Sequence, residues 1–304
     1  MKQKKSKNRK DFLIYLKERI QFLKECERFG TAANYQRAKN SLELYLDGKK
    51  LWFTGVKSSL VEGYDEWLQK RGLKRNTISF YMRILRAVFN KGVRMGFCKQ
   101  TFPFKNVYTG IDKTRKRCVS DQILLQIKAL SIVNNARLDL ARDVFLFSVY
   151  TRGMTFVDIA HLKQKNIKEG SIFYERKKTG QKLNVKIESQ TNKLIEKYKK
   201  DDDPESYLFP LLFRDDYKGY IKAICAYNYR LRLLSSLLGE GINLTSYTSR
   251  HTWASLAYKY DIPVSIISEG MGHTSEKTTR IYLDSLDSTK IDTANRLLLK
   301  KIGL

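Results

Sequence analysis

The sequence predicts a mainly α protein in two parts: an N-terminal helical domain and a larger, mostly helical C-terminal domain with a small antiparallel β-sheet. Three observations predict it. Apolar residues recur at three- and four-residue steps through most of the 304-residue chain, clear alternation occurs at one place, and a non-periodic basic stretch interrupts the pattern. A chain of this length usually exceeds one hydrophobic core and divides into domains.

Taken in order, residues 1–10, "MKQKKSKNRK", form a basic leader with six Lys or Arg. Residues 11–106 hold four helices. In the first, over 11–29, Phe12, Tyr15, Leu16, Ile20 and Leu23 make the apolar stripe. "TAANYQRAKNSLELYLDG", "SSLVEGYDEWLQKRG" and "RNTISFYMRILRAVFNKGVRMG" give the other three, each closed by a glycine suited to a helix C-cap. Residues 107–119 lack periodicity, carry the cluster "KTRKRC", and read as a linker able to lie against phosphates.

The second domain, 120–304, opens with a helix capped by Ser120. A core helix "LDLARDVFLFSVYT" and the segment "FVDIAHL" follow. "SIFYER", the polar turn "KKTGQ" and "KLNVKI", in which Leu183, Val185 and Ile187 alternate, make a hairpin with lysines at its tip. Helix resumes at 190–200, 219–238, 249–260, 264–269, 275–283 and near 288–300, where Ile291, Ala294, Leu298 and Ile302 form a stripe able to dock in cis or on a neighbouring subunit.

The balance of 58 Lys+Arg against 31 Asp+Glu, a formal charge of +27, disfavours compaction unless a polyanion shares the surface. Nucleic acid is the first candidate. A membrane ranks behind it, because no apolar run approaches the ~20 residues that span a bilayer. The leader precedes no apolar stretch of signal-peptide type, so a cytoplasmic, nucleoid-associated protein is expected. Four scattered cysteines without a CxxC pair argue against a disulfide framework or a structural zinc site.

Near the C-terminus, Arg250 and His251 open a helix whose apolar stripe leaves its N-terminal end free to face an anion. Gly270 and Gly272 flank Met271 and let the chain reverse, presenting His273 before the next helix. Tyr282 stands nine residues after His273, late in that helix. Singly, each has a plain structural explanation: a phenol on an apolar face packs, and a hairpin lysine solubilises.

Together, "RHTWASLAYKYDIPVSIISEGMGHTSEKTTRIYLD" resembles the second motif box of the tyrosine recombinases, the phage-integrase and Xer-like site-specific DNA recombinases. The resemblance spans both domains and implies a DNA-gripping core-binding domain at 11–106 and a catalytic domain at 120–304. It makes Arg250 the second catalytic arginine, His273 the histidine of the Gly-His turn, and Tyr282 the nucleophile. The hairpin lysine is Lys178, with Lys177 as the alternative. Two positions depart from the pattern. Tyr247 stands where the family usually has a histidine, which leaves the acceptor of the Tyr282 proton unassigned. With Asp158 aligned to the family's acidic residue, Thr155 occupies the first arginine's slot; Arg152, three residues earlier, is expected to reach the same phosphate.

These residue types suit exchange of one phosphate ester for another. Two guanidiniums, those of Arg152 and Arg250, can hold the nonbridging oxygens as their charge grows, and His273 can donate to the same group. A phenol of pKa about 10 is ionised in roughly one molecule in a thousand at pH 7, so its proton must leave as attack proceeds. Lys178, on a hairpin among other cations, is the candidate to protonate the departing 5′-oxygen. The resemblance implies cleavage through a 3′-phosphotyrosyl intermediate, no metal and no cofactor. Its partners would be double-stranded DNA with specific recombination sites, a homotetramer on two such sites, and accessory DNA-bending proteins; a type IB-like topoisomerase and a degraded architectural DNA-binding protein are the alternatives.

Overall fold

The computed structural model describes residues 10–112, 118–283, 296 and 299. Its chain divides into two compact units, Met1–Thr114 and Arg115–Leu304. The leader through residue 9, the basic cluster at 113–117 and the apolar stripe of the C-terminal segment lie outside the described residues.

The first unit is built on helices α1 (Phe12–Glu25), α2 (Phe29–Leu46), α3 (Ser58–Lys70) and α4 (Arg75–Arg94). Helix α1 starts where the Asp11 carboxylate accepts the Ile14 N–H at 2.9 Å, and it buries the five apolar residues that its periodicity marks. It stops four residues before the expected end. Glu27 takes a left-handed conformation, φ 55°, and its N–H turns back to the Lys24 carbonyl. The core gathers Leu16, Phe53, Tyr64, Met82 and Phe89, with Phe12 and Phe53 edge to face at 4.9 Å between centroids.

In the second unit, helices α5 (Asp121–Ala129), α6 (Ala136–Tyr150) and α7 (Phe156–Ala160) precede the sheet, and α8 (Ser189–Tyr198) and α9 (Tyr217–Leu238) follow it. Helices α10 (Thr248–Lys259), α11 (Val264–Gly270) and α12 (Glu276–Arg280) close the described part. Helix α6 is buried nearly all round, and Phe145 and Phe147 pack with Leu231, Leu234, Ile172 and Val185.

The sheet is antiparallel, in the order β1 (Ile167–Lys168), β2 (Ser171–Glu175), β3 (Lys182–Lys186), with Ile172 opposite Val185. The expected hairpin is β2 and β3. The short β1 escapes sequence reading because two residues show no period; it is fixed by the turn Glu169-Gly170, where both φ angles are positive. Helix α12 is shorter than its pattern predicts. The N–H groups of Ile281 and Tyr282 bond to Thr278 and Thr279, three residues back, so Tyr282 sits on a tightened turn just past the helix.

Candidate active site

Arg250 lies in the first turn of α10 and is 2% exposed. The helix is held there by a 2.8 Å hydrogen bond between the Ser249 and Ser148 hydroxyls, the latter on α6. Beyond α6 the chain turns through Arg152 and Gly153, both left-handed. The Gly153 carbonyl accepts from Nη1 of Arg250 at 2.7 Å, and a Cβ on Gly153 would stand 3.0 Å from the Arg250 Cα and Cγ. Only glycine permits that approach.

Helix α11 ends in a Schellman motif: the Gly272 N–H bonds to Glu269 and the His273 N–H to Ser268, with Gly272 at φ 64°. This leaves the carbonyls of Met271 and Gly272 facing cations. Nη2 of Arg250 donates to Met271 at 2.7 Å, and Nη1 of Arg176 donates to Gly272. Nε2 of His273 is 3.0 Å from Nη2 of Arg250, and Nδ1 is 2.9 Å from the Thr279 hydroxyl. A guanidinium only donates, so Nε2 accepts and the ring proton sits on Nδ1. Burial, then the charges of Arg250, Arg176 and Lys178, push the His273 pKa down to about 4.

The Tyr282 ring stacks on His273 at 5.2 Å and lies 4.7 Å from the His251 ring, with the Arg250 guanidinium 5.6 Å from its centroid. Its carbonyl accepts from the Ser255 hydroxyl at 3.2 Å, which ties the segment after α12 to α10. The side chain is half-buried. Tyr247, which precedes α10, is 49% exposed; burial of its phenol and the neighbouring Tyr282 push its pKa up. A phenol held further from ionisation is a donor, not a base.

The hairpin supplies the remaining cations. Lys178 is exposed at its tip and contributes to depressing His273, whereas Lys177 gives its backbone N–H to the Asp158 carboxylate at 2.9 Å. The other Asp158 oxygen accepts from the Thr155 hydroxyl at 2.6 Å. Arg152 takes a different direction. Its Nη1 is 3.4 Å from the Asn184 carbonyl, and it lines an open cleft of about 900 Å³ with Phe173, Trp253 and Gly270. The structure thus brings Arg250, His273 and Tyr282 into one cluster, sets Tyr247 and Lys178 beside it, and joins Arg152 to none of the three by a hydrogen bond or ring contact.

Sequence reading passed over Arg176, 6% exposed. The signal was strand parity. Ile172, Tyr174 and Arg176 fall on one face, and the exposed Phe173, Glu175 and Lys177 on the other, so a charge stood on the inward side.

Comparison with known proteins gives a consistent result. The profile of the phage integrase SAM-like domain matches residues 11–107, and that of the phage integrase family matches 122–289. A tyrosine recombinase of Pseudothermotoga lettingae is 25% identical over 250 residues, 78% of this chain and 81% of that protein. A lambda integrase dimer bound to a core site superposes with a TM-score of 0.70 at 18% identity, covering 91% of this chain and 98% of that one. The Tn1549 transposon integrase in complex with a circular intermediate DNA gives 0.64 at 14% identity, covering 94% and 99%.

Proposed function

The chain belongs to the phage integrase family of site-specific tyrosine recombinases, enzymes that break and rejoin DNA, and from that premise we propose that Tyr282 is its nucleophile. The observation that carries this is the union of Arg250, His273 and Tyr282, joined by a 3.0 Å hydrogen bond and a stacked ring pair at a helix N-terminus. The Tyr282 oxygen attacks the scissile phosphorus as the bond to the 5′-oxygen breaks, leaving a 3′-phosphotyrosyl ester. Attack by a 5′-hydroxyl reverses the step, so the ester's free energy serves religation.

Arg250 holds a nonbridging oxygen through donors that strengthen as charge develops. Nε2 of His273 accepts from Arg250 in the observed pattern; as Arg250 turns Nη2 to the phosphate oxygen, the freed lone pair takes the phenolic proton. A phosphate anion among these cations raises the His273 pKa, so the protonated ring can then donate to the phosphate. Tyr247 adds a phenolic donor, and Lys178 protonates the leaving 5′-oxygen. Arg152, at the mouth of the cleft, meets the DNA backbone. No metal or cofactor enters this scheme.

We assign residues 11–106 to gripping the duplex and 120–304 to chemistry. Exchange between two duplex sites cuts four strands and needs one nucleophile for each, which supports a homotetramer on two sites; accessory DNA-bending proteins are compatible partners. The DNA-bound lambda and Tn1549 integrases support a role on a mobile element; action on chromosomal sites or an invertible element would place the chain in the cytoplasm, at the nucleoid. Among the described residues no helix is long and apolar enough to cross a membrane.

The test uses a duplex site selected from random-sequence DNA by binding to the Tyr282→Phe protein, then nicked to trap cleavage. The parent chain is expected to form a covalent adduct and the Tyr282→Phe variant none. An adduct at another residue overturns the reading, and relaxation of plasmids lacking the site would indicate a topoisomerase instead.

A further inference from the structure

We propose that Arg176, at the end of β2, is the second guanidinium that holds the scissile phosphate opposite Arg250, filling the role that the first motif leaves to Thr155. This rests on the strand-exchange reading of Tyr282 and goes beyond it, since neither the motif pattern nor the spacing of the family boxes singles out this arginine.

Placement is the first argument. Arg176 and Arg250 donate to the adjacent carbonyls of Gly272 and Met271, and both charges act on His273 and on Tyr247. Arg176 therefore lies in the cluster that surrounds the nucleophile. Gly272 makes room for it, because a Cβ there would stand 3.0 Å from the Arg176 Cδ.

Unspent hydrogen-bonding capacity is the second. Arg176 and Arg250 are 6% and 2% exposed, and the Nε of each is buried without a partner. Among the described residues no carboxylate lies within 4.0 Å of either guanidinium, whereas the half-buried Arg142 and Lys163 are paired with Asp143 at 2.7 Å and Glu205 at 3.0 Å. Two like charges out of water, each short of an acceptor, form a costly arrangement that an anion relieves. A phosphodiester brings one negative charge and two free oxygens, which matches two guanidinium forks.

The third argument is exclusion. Arg152, the other arginine near the first motif, is directed to the Asn184 carbonyl on the cleft side. In the slot itself, Thr155 is engaged with Asp158 and carries no charge.

The experiment compares Arg176→Met with Arg152→Met on two forms of the nicked selected site, one with the native phosphodiester and one with a neutral methylphosphonate at the scissile position. If Arg176 neutralises the scissile phosphate, Arg176→Met forms adduct about 10²–10³-fold more slowly on the phosphodiester and recovers most of that loss on the methylphosphonate. Arg152→Met loses less than about tenfold and shows no such recovery. Parent-like cleavage of the phosphodiester by Arg176→Met overturns the assignment, as does an equal loss on both substrates by a protein that circular dichroism shows folded. Recovery confined to Arg152→Met also overturns it. If Arg176→Met does not fold, Arg176→Lys takes its place: it keeps the charge and a donor for Gly272 but loses the fork, so a loss of about tenfold or more on the phosphodiester is expected, and the parent rate sinks the proposal. Failure of the underlying reading looks different, because the parent chain itself would then form no Tyr282 adduct.

Discussion

Arg250 and His273 share one hydrogen bond, 3.0 Å from Nη2 to Nε2, in which the cation is the donor and the imidazole the acceptor. The bond fixes His273 as a neutral ring. With Arg176 and Lys178 also facing it, protonation is opposed from three sides and by burial.

The first prediction is a titration of His273 near pH 4 in place of 6.5. Between these values the unfolded chain binds a proton that the folded chain refuses. Stability linked to His273 is therefore fully present above about 6.5, falls as pH falls toward 4, and changes no further below. With partial exposure screening the effect, it amounts to on the order of 1–2 kcal/mol. NMR of the imidazole C–H signals gives the midpoint, and urea unfolding of the parent against His273→Gln isolates the linked part. A midpoint between 6 and 7 would contradict the assigned tautomer and its electrostatics.

A second prediction concerns Thr279, fully buried, whose hydroxyl accepts the Nδ1 proton at 2.9 Å. Thr279→Val keeps the shape and strands that N–H, a cost of about 1–3 kcal/mol. The ring is then free to exchange tautomers, and adduct formation should slow about tenfold with site affinity retained. Thr279→Ser should restore the rate; a Val variant as fast as the parent would show that the hydroxyl does not set the ring.

The helices and the hairpin were legible because each repeats a local rule several times over. Five stripe residues agree in α1, and β2 pairs with β3 in the register that alternation demands. Tyr282, Arg250 and His273 were legible as a set through their match, in order and spacing, to the second motif box of the tyrosine recombinases. Arg152 was harder, since its direction depends on a left-handed backbone, φ 60°, which no residue pattern announces. Arg176 was concealed by its company: beside Lys177 and Lys178 it reads as one cation of a solvated turn, and only its parity on β2 separates it from them. Where α12 stops short of Tyr282 is also a tertiary matter, settled by the Ser255 bond to the Tyr282 carbonyl and by the ring stack on His273.

A third prediction separates backbone strain from crowding at Arg250. Gly153 and Gly170 share a left-handed conformation, φ 71° and 68°, but a Cβ at 153 meets the Arg250 backbone, while at 170 nothing lies within 4 Å. Both alanine variants should lose about 1 kcal/mol to the forced φ. Gly153→Ala should lose further stability and most adduct formation, because either Arg250 or the turn after α6 must move. Equal unfolding midpoints and equal cleavage rates for the two variants would mean that the close approach is not needed.

The last prediction tests how the hairpin is held to the site. Asp158 is 4% exposed and joins two pieces of chain, accepting the Thr155 hydroxyl with one oxygen and the Lys177 N–H with the other. Through Lys177 it fixes the segment between Arg176 and Lys178. Asp158→Asn keeps the shape and one acceptor for Lys177, and Thr155 can rotate to accept from the new amide, so folding and cleavage should stay close to the parent. Asp158→Ala leaves both donors without an acceptor, costing about 1–3 kcal/mol for each one that water does not reach. It should also release the hairpin tip, so that adduct formation falls while site affinity, carried mainly by other phosphate contacts, changes little. Leaving-group chemistry distinguishes this from general loosening: a substrate with a 5′-thiol leaving group, which needs little protonation, should recover its rate in Asp158→Ala if the defect is misplacement of Lys178. No recovery, with the protein folded, would show that Asp158 steadies the fold without positioning the lysine.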